Sequence, residues 1–151
     1  MFMKKKIIVV VVIAIGISLF LWRNARIDLP EIELVTELKL ARTFVIDENR
    51  IIVDSAIIKN YSDIKAIMSL LSNAKRLIGT RIRAANEFPT GIGITPYLRI
   101  NIYGDEHLMA RIFLYTMENR GYIFVPYRAI YRIDSGIISE IYLMHLGMNC
   151  S

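Results

Sequence analysis

The feature that most constrains this chain is an uncharged, apolar run near its N-terminus. Three lysines, Lys4 to Lys6, precede sixteen residues without a charge, residues 7–22, and Arg23 follows them. As a helix the run would rise roughly 24 Å at about 1.5 Å per residue, somewhat less than the ~30 Å hydrocarbon core of a bilayer. Flanking lysine and arginine side chains that reach toward water, with Trp22 at the interface, make up the difference. The run therefore predicts a transmembrane helix with the lipid bilayer as its partner.

Two other interpretations of this run are a buried core helix and a cleaved secretory signal. A core helix has no need of three lysines before it and arginines after it. A cleaved signal needs a small-x-small triplet at its end, but the triplet at residues 14–16 lies inside the run, and cleavage there would leave an apolar new terminus. We therefore predict an uncleaved signal anchor, with residues 1–26 as basic head and transmembrane segment.

The charges on either side of the run predict its orientation. The N-terminal side carries three lysines and no acid, whereas Arg23 and Arg26 on the other side are soon followed by Asp28 and Glu31. Positive charge favours the cytoplasmic side of a membrane. We expect a single-pass protein of the cell membrane, with a cytoplasmic N-terminus and an extracytoplasmic domain over residues 27–151.

The net charge of +5 belongs to the N-terminal segment alone. Residues 1–26 hold five bases and no acid, which leaves 14 bases and 14 acids for residues 27–151. Such a neutral domain lacks the electrostatic footprint of a nucleic-acid-binding protein, so no nucleic-acid partner is predicted. Charge is nonetheless uneven, with a net −4 over residues 28–54 and +5 over residues 75–132. Cys150 is the one cysteine, which excludes an internal disulfide and a cysteine-cluster metal site.

Residues 27–151 show the mixed pattern of an α+β domain. Period-two alternation over residues 32–40 and a β-branched run at 50–54 predict two antiparallel strands. Apolar residues at helical spacing predict a helix over 61–72, with Asn60 or Ser62 as its N-terminal cap.

The clearest β pattern is a three-stranded antiparallel meander. Its strands are predicted at residues 97–103, 108–117 and 122–127. Their apolar residues share one face only if the first loop has an odd number of residues and the second an even number, which a three-residue loop at 104–106 and a loop around Asn119 satisfy. The helix 61–72 is expected to pack on that face, and a second helix follows from Asp134 or Ser135 to about Leu146. The predicted fold is an N-terminal transmembrane helix followed by a small α+β domain in which a helix packs on an antiparallel meander.

Several short stretches resemble a known family. Residues 122–133, YIFVPYRAIYRI, are similar to the Tyr-Ile-x-x-Pro-Tyr-x-Gly-Ile-Tyr pattern of small Gram-positive domains of unknown function, which are membrane-anchored or secreted. LPEI at 29–32, LLSNAK at 70–75 and FPT at 88–90 follow the same pattern in the same order, so the resemblance covers about residues 29–133. Ala129 stands where that family usually has glycine. The resemblance implies a location and a fold, and it carries no activity and no site residues.

The face of the meander opposite its apolar side is predicted to be a binding surface. Aromatic residues alternate there with arginines, a mixture that suits a protein or peptide partner, a glycan or single-stranded nucleic acid, of which the neutral domain disfavours the last. The alternative is that the aromatic residues pair across strands and stabilise the sheet, or that the loop 84–95 or the last helix covers them. The predicted binding face consists of Tyr97, Arg99, Tyr103, Arg111, Phe113, Tyr115, Tyr122 and Phe124.

Few residues suit catalysis or metal binding. His107, in a predicted turn, and His145, on the last helix, have no second ligand four residues on. The adjacent acids at 47–48 and 105–106 lie in predicted turns, whereas the two carboxylates of a glycosidase converge from separate positions. We therefore predict no catalytic residue, no metal ligand and no cofactor, and the chain is not expected to be an enzyme.

The function expected from the sequence is a membrane-anchored, extracytoplasmic binding or accessory module for a protein or envelope component. Self-protection, in which the domain intercepts a secreted toxin, is one version of it. The alternative is an enzyme that hydrolyses the cell wall or envelope, which requires a pocket of convergent polar groups.

Overall fold

The computed structural model describes residues 10–18, 20, 26–46, 49–77 and 96–146. Its three helices are α1 over residues 10–18, α2 (Tyr61–Ser72) and α3 (Ser135–Leu146), and a short 3₁₀ turn covers Ile32–Leu34. Its strands are β1 (Glu37–Ile46), β2 (Asn49–Ile58), β3 (Lys75–Arg76), β4 (Tyr97–Gly104), β5 (His107–Met117), β6 (Arg120–Val125) and β7 (Ala129–Ile133). These seven strands form one sheet in the order β2-β1-β4-β5-β6-β7-β3, and each neighbouring pair is antiparallel.

The prediction of an N-terminal transmembrane helix is wrong. Among the described residues, no helix is both long enough and apolar enough to cross a membrane. The described residues 10–18 of this helix are exposed. The predicted fold of a transmembrane helix and a small meander domain is therefore corrected to a seven-stranded antiparallel sheet with three helices.

The sheet is also wider than the predicted meander. β1 pairs with β4 over seven residues, from Glu37 opposite Tyr103 to Thr43 opposite Tyr97. This pairing places Leu38 and Leu40 of β1 on the same face as the apolar residues of β4, because residues directly opposite each other in an antiparallel pair point to the same side. The hairpin of β1 and β2 thus satisfies the open edge of β4 and extends one continuous core.

The turns between the meander strands place the apolar residues on one face as predicted, but the first turn differs from the predicted loop. The β4–β5 turn has two residues, 105–106, both with positive φ (46° and 67°), instead of the predicted three-residue loop. A β-bulge supplies the missing residue, since Ile102 lies opposite Ala110 while Tyr103 lies opposite Leu108. The β5–β6 turn at 118–119 also has positive φ at both residues (51° and 60°), the geometry that matches the twist of a two-residue hairpin.

Both α2 and α3 pack against one face of the sheet. The helical spacing of the apolar residues in α2 aligns its four buried side chains on a single stripe. Asn60 caps α2 by accepting a hydrogen bond from the Ser62 backbone N–H at 2.9 Å, and Asp134 accepts one from the Gly136 N–H at 2.9 Å at the start of α3. The core includes Ile64, Ile67, Met68 and Leu71 of α2, Ile138 and Ile141 of α3, and Leu38, Leu40, Leu98, Ile100, Ile102, Ile112, Leu114 and Ile123 of the sheet.

Candidate functional site

The structure brings all eight predicted binding residues to one face of the sheet, opposite the core. The register places Arg99 opposite Phe113 and Tyr97 opposite Tyr115, and the next ladder places Tyr115 opposite Tyr122 and Phe113 opposite Phe124. Residues of β1 reach the same face, since Ala41 lies opposite Arg99. We call this surface the second face; it comprises the eight predicted residues together with Asn101 and, from β1, Glu37, Lys39, Ala41 and Thr43.

The aromatic residues of the second face form a packed cluster. Tyr97, Phe113, Tyr115 and Phe124 are each at most 6% exposed, and Tyr122 packs against them half-buried. Phe113 lies edge-on to Tyr97 with ring centroids 5.7 Å apart and 5.9 Å from Phe124, and Tyr115 stacks on Tyr122 at 5.4 Å. Such ring pairs add about 0.5–1.5 kcal/mol beyond the area they bury. We call these five residues the aromatic cluster; its members stabilise the sheet and leave little surface of their own for a partner.

The aromatic cluster makes stability depend on alkaline pH. Burial, with the neighbouring Tyr122 as a second cause, raises the pKa of Tyr115 from its ordinary 10.0 to about 12. Between these two pH values the unfolded chain has lost a proton that the folded chain keeps, so stability falls as pH rises through this window. We expect the denaturant midpoint to fall more steeply from pH 10 to 12 in the wild type than in Tyr115→Phe.

The control for this prediction is Tyr61→Phe, which removes an exposed phenol at the start of α2. Its pH dependence should match that of the wild type. Equal slopes for the wild type and Tyr115→Phe would contradict the buried position of the Tyr115 hydroxyl.

Two arginines beside the aromatic cluster have no acidic partner among the described residues. Arg111 donates from Nε to Asn101 Oδ1 at 3.0 Å, directly across the β4–β5 ladder. Arg99 is its diagonal neighbour on the same face. The Cα atoms of diagonal neighbours in a sheet are about 7 Å apart. The Arg99 Nε is buried and has no hydrogen-bond partner in the described part of the chain, and the same holds for Thr43 Oγ1. We call Arg99 and Arg111 the arginine pair; neither guanidinium has an acidic partner among the described residues.

The remaining charges of the second face largely neutralise one another. Glu37 contacts the ammonium groups of Lys39 at 3.1 Å and Lys59 at 3.2 Å. Hydrogen bonds from Lys39 first and then from Lys59 hold the pKa of Glu37 below its usual value, and the hydrogen bond with Glu37 raises the pKa of Lys39. Lys39 also lies 4.6 Å from the centre of the Tyr103 ring. Glu37 is therefore already engaged and does not neutralise the arginine pair. Exposed Arg120 and Arg132 add further positive charge on the same side of the sheet.

A cleft of about 330 Å³ opens beside Arg111. Its walls are β5, the turn that follows β6, and residues 28–29. Asp28 and Arg128 close one side through a 2.7 Å ion pair, in which Arg128 also donates to the Asp28 carbonyl at 3.1 Å. Arg128 is thus paired, whereas Arg111 lines the cleft with Asn101 as its one hydrogen-bond partner among the described residues.

The residues considered for catalysis are not brought together. Among the described residues, no group of three or more His, Cys, Asp or Glu side chains could hold a metal ion. His107 begins β5 beside an exposed turn, and His145 lies in the last turn of α3. Residues 47–48, the loop 84–95 and Cys150 lie outside the part of the chain that the structure describes.

The sequence pattern places Asn101 on this face, but the predicted binding residues do not include it, and they also lack Lys39 and Thr43. Asn101 has the same parity along β4 as Arg99, so the period-two pattern that selected the arginine was also the signal for the asparagine. Lys39 and Thr43 depend on the pairing of β1 with β4, which joins segments more than fifty residues apart.

Fold and site together define a class of small domain, with a seven-stranded antiparallel sheet, helices on one face, and aromatic and arginine residues on the other. The chain belongs to the DUF5301 family, described as "Domain of unknown function (DUF5300)", whose profile matches residues 23–132. The predicted resemblance to a domain of unknown function is confirmed at that level, while the Gram-positive source and the motif stay predictions. No curated protein and no solved structure matches the chain.

Proposed function

We propose that this chain is a binding module that recognises carboxylate groups of a protein partner through Arg99 and Arg111. The observation that supports it is two neighbouring arginines on one face of the sheet, with no acidic partner among the described residues, of which Arg111 is held in place by Asn101. A guanidinium offers a planar fork of donors that matches a carboxylate.

A protein partner fits the surroundings of the arginine pair better than a polyanion does. A nucleic acid needs a broad excess of unpaired cations, whereas residues 27–151 hold as many acids as bases and Lys39 and Lys59 are both engaged by Glu37. The cleft beside Arg111 also exposes apolar side chains, Leu108 and Met109, which match apolar residues of a protein. A secreted toxin with an acidic segment is one protein that presents carboxylates beside apolar residues. No observation on the described residues favours the hydrolytic alternative.

The test is a selection of random phage-displayed peptides on the full-length chain. We expect the selected peptides to be enriched in Asp and Glu. A synthetic selected peptide should bind Arg99→Gln/Arg111→Gln at least about tenfold more weakly, since a hydrogen bond to a charged group contributes about 1.5–3 kcal/mol. Isothermal titration calorimetry measures both affinities.

Arg120→Gln/Arg132→Gln is the matched control. It removes the same charge from two exposed arginines in β6 and β7 on the same side of the sheet. This variant should bind the peptide as the wild type does. An equal loss in both double variants, or none in either, would contradict the proposal.

The structure also changes which substitutions make a clean test. From the sequence pattern alone, Arg111→Ala combined with Tyr115→Ala would be the variant to test the predicted binding face. Tyr115, however, is 6% exposed and stacks on Tyr122, so its removal would report on folding. Replacing Arg99 in its place keeps the aromatic cluster intact.

We propose further that the domain works outside the cytoplasm of a Gram-positive bacterium. The support is the basic head at Lys4–Lys6 followed by the uncharged run 7–22, together with the resemblance over residues 29–133. Protease added to intact cells should cleave within residues 27–151. Protection of that region while a known surface marker is cleaved would contradict this location.

A further inference from the structure

We infer that the partner binds in an extended conformation, as an added strand on the open edge of β5 at residues 107–112. The inference rests on the proposed function, because Arg111 lies within this stretch and supplies the contact to the partner's carboxylate. It specifies what that function leaves open, namely the conformation of the partner segment and the backbone it pairs with.

The two edges of β5 are paired over different lengths. On one side β4 pairs with β5 from Gly104 opposite His107 to Tyr97 opposite Tyr115. On the other side β6 pairs with β5 only from Phe113 to Met117. Among the described strands, residues 107–112 therefore have a ladder partner on one side only. These residues extend roughly 20 Å at about 3.3 Å per residue, which suits a short peptide strand.

The turn after β6 creates this open edge. Beyond Val125 the chain reverses, with the Arg128 N–H donating to the Val125 carbonyl at 3.1 Å, and returns as β7. Pro126 has no N–H to offer a ladder, and Tyr127 has a positive φ of 59° that ends the extended conformation. The chain thus leaves β5 where a longer β6 would otherwise continue, and the cleft occupies that space.

The side chains along the open edge have the chemistry of a peptide site. Leu108, Met109 and Tyr127 are 46%, 39% and 59% exposed, which is apolar surface on both sides of the cleft. Arg111 supplies the one charge there without an acidic partner among the described lining residues. An extended segment that carries an acidic residue among apolar ones meets both, since strand addition takes affinity from backbone hydrogen bonds and specificity from alternate side chains.

A second copy of this chain fits the edge less well. Residues 107–112 read HLMARI and contain one arginine and no acid, so pairing two such edges brings no carboxylate to Arg111. Charge complementarity therefore favours a different protein with an acidic extended segment.

The experiment scans a selected acidic peptide with single backbone N-methyl groups, against the full-length chain. Each N-methyl group removes one N–H donor. A strand added to β5 directs every second N–H toward it, so affinity should fall by up to about tenfold at alternate positions and change little between them. Because only the peptide is altered, the folding of the protein is unaffected.

The outcomes separate this inference from the proposed function. Loss of binding in Arg99→Gln/Arg111→Gln without a period of two in the N-methyl scan overturns strand addition and leaves carboxylate recognition standing. Suppose instead that the N-methyl scan has a period of two but the peptide binds the double variant as tightly as the wild type. That result supports strand addition at β5 and overturns the role of the arginine pair. Failure to select any peptide, or a concentration-dependent dimer that the peptide dissociates, overturns the inference of a separate partner at this edge.

Discussion

Replacing Phe113 by alanine is expected to lower the free energy of unfolding by about 3–5 kcal/mol. Phe113 is 2% exposed and lies at the centre of the aromatic cluster, in contact with the rings of Tyr97 and Phe124. Truncation removes the transfer energy of the ring and leaves a cavity that its two neighbours do not fill. Because small domains are stable by only about 5–15 kcal/mol, this loss is a large part of the total. Urea denaturation followed by circular dichroism measures it.

Tyr61→Ala is the control for Phe113→Ala. Tyr61 is an exposed aromatic residue at the first position of α2, and its truncation should change stability by no more than about 0.5 kcal/mol. A loss of less than about 1 kcal/mol for Phe113→Ala would show that the aromatic residues form an open surface instead of a packed cluster.

Replacing Gly104 by alanine is expected to cost about 2–3 kcal/mol. A Cβ atom at this position would overlap the backbone carbonyl oxygen of Leu34 and the Sδ atom of Met109. The methionine side chain can move aside, but the carbonyl belongs to the 3₁₀ turn Ile32–Leu34, which lies against the end of β4. The substitution must therefore displace backbone, and thermal unfolding should show a lowered Tm.

Gly136→Ala is the matched control for Gly104→Ala. In the first turn of α3, the nearest atom to an added Cβ is an Asp134 carboxylate oxygen at 3.4 Å, which is ordinary contact. Alanine favours a helix over glycine by about 1 kcal/mol, so this variant should be as stable as the wild type or more stable. If Gly104→Ala also unfolds like the wild type, the close approach of Leu34 to β4 does not exist in solution.

Much of the local structure follows from patterns within short segments. The stripe at 64, 67, 68 and 71 and the cap at Asn60 predicted α2 because helix periodicity and capping need only neighbouring residues. Alternation in β4, β5 and β6 likewise predicted that eight residues share a face, since parity is a property of each strand. The bulge opposite Ile102 and Tyr103 could not be predicted. A two-residue turn with a bulge leaves the side chains on the same faces as a three-residue loop does, so alternation does not tell the two apart.

The candidate site was predicted only in part, because its chemistry depends on long-range pairing. Alternation places Arg99 and Phe113 on one face, but it does not tell a packed ring from an exposed one. The pairing of β1 with β4 decides that Ala41 lies beside Arg99, and the early end of β6 decides that Arg111 faces a cleft.

A double-mutant cycle on the complex with a selected acidic peptide tests the central claim most directly. Calorimetry measures four affinities, for the acidic peptide and its Asp→Asn, Glu→Gln analogue, each with the wild type and with Arg99→Gln/Arg111→Gln. If the arginine pair binds the carboxylate, the amide peptide binds the wild type at least about tenfold more weakly and the double variant with little change, because the two losses are one interaction. Equal losses on both proteins would show that the carboxylate and the arginine pair act independently, and would contradict the claim.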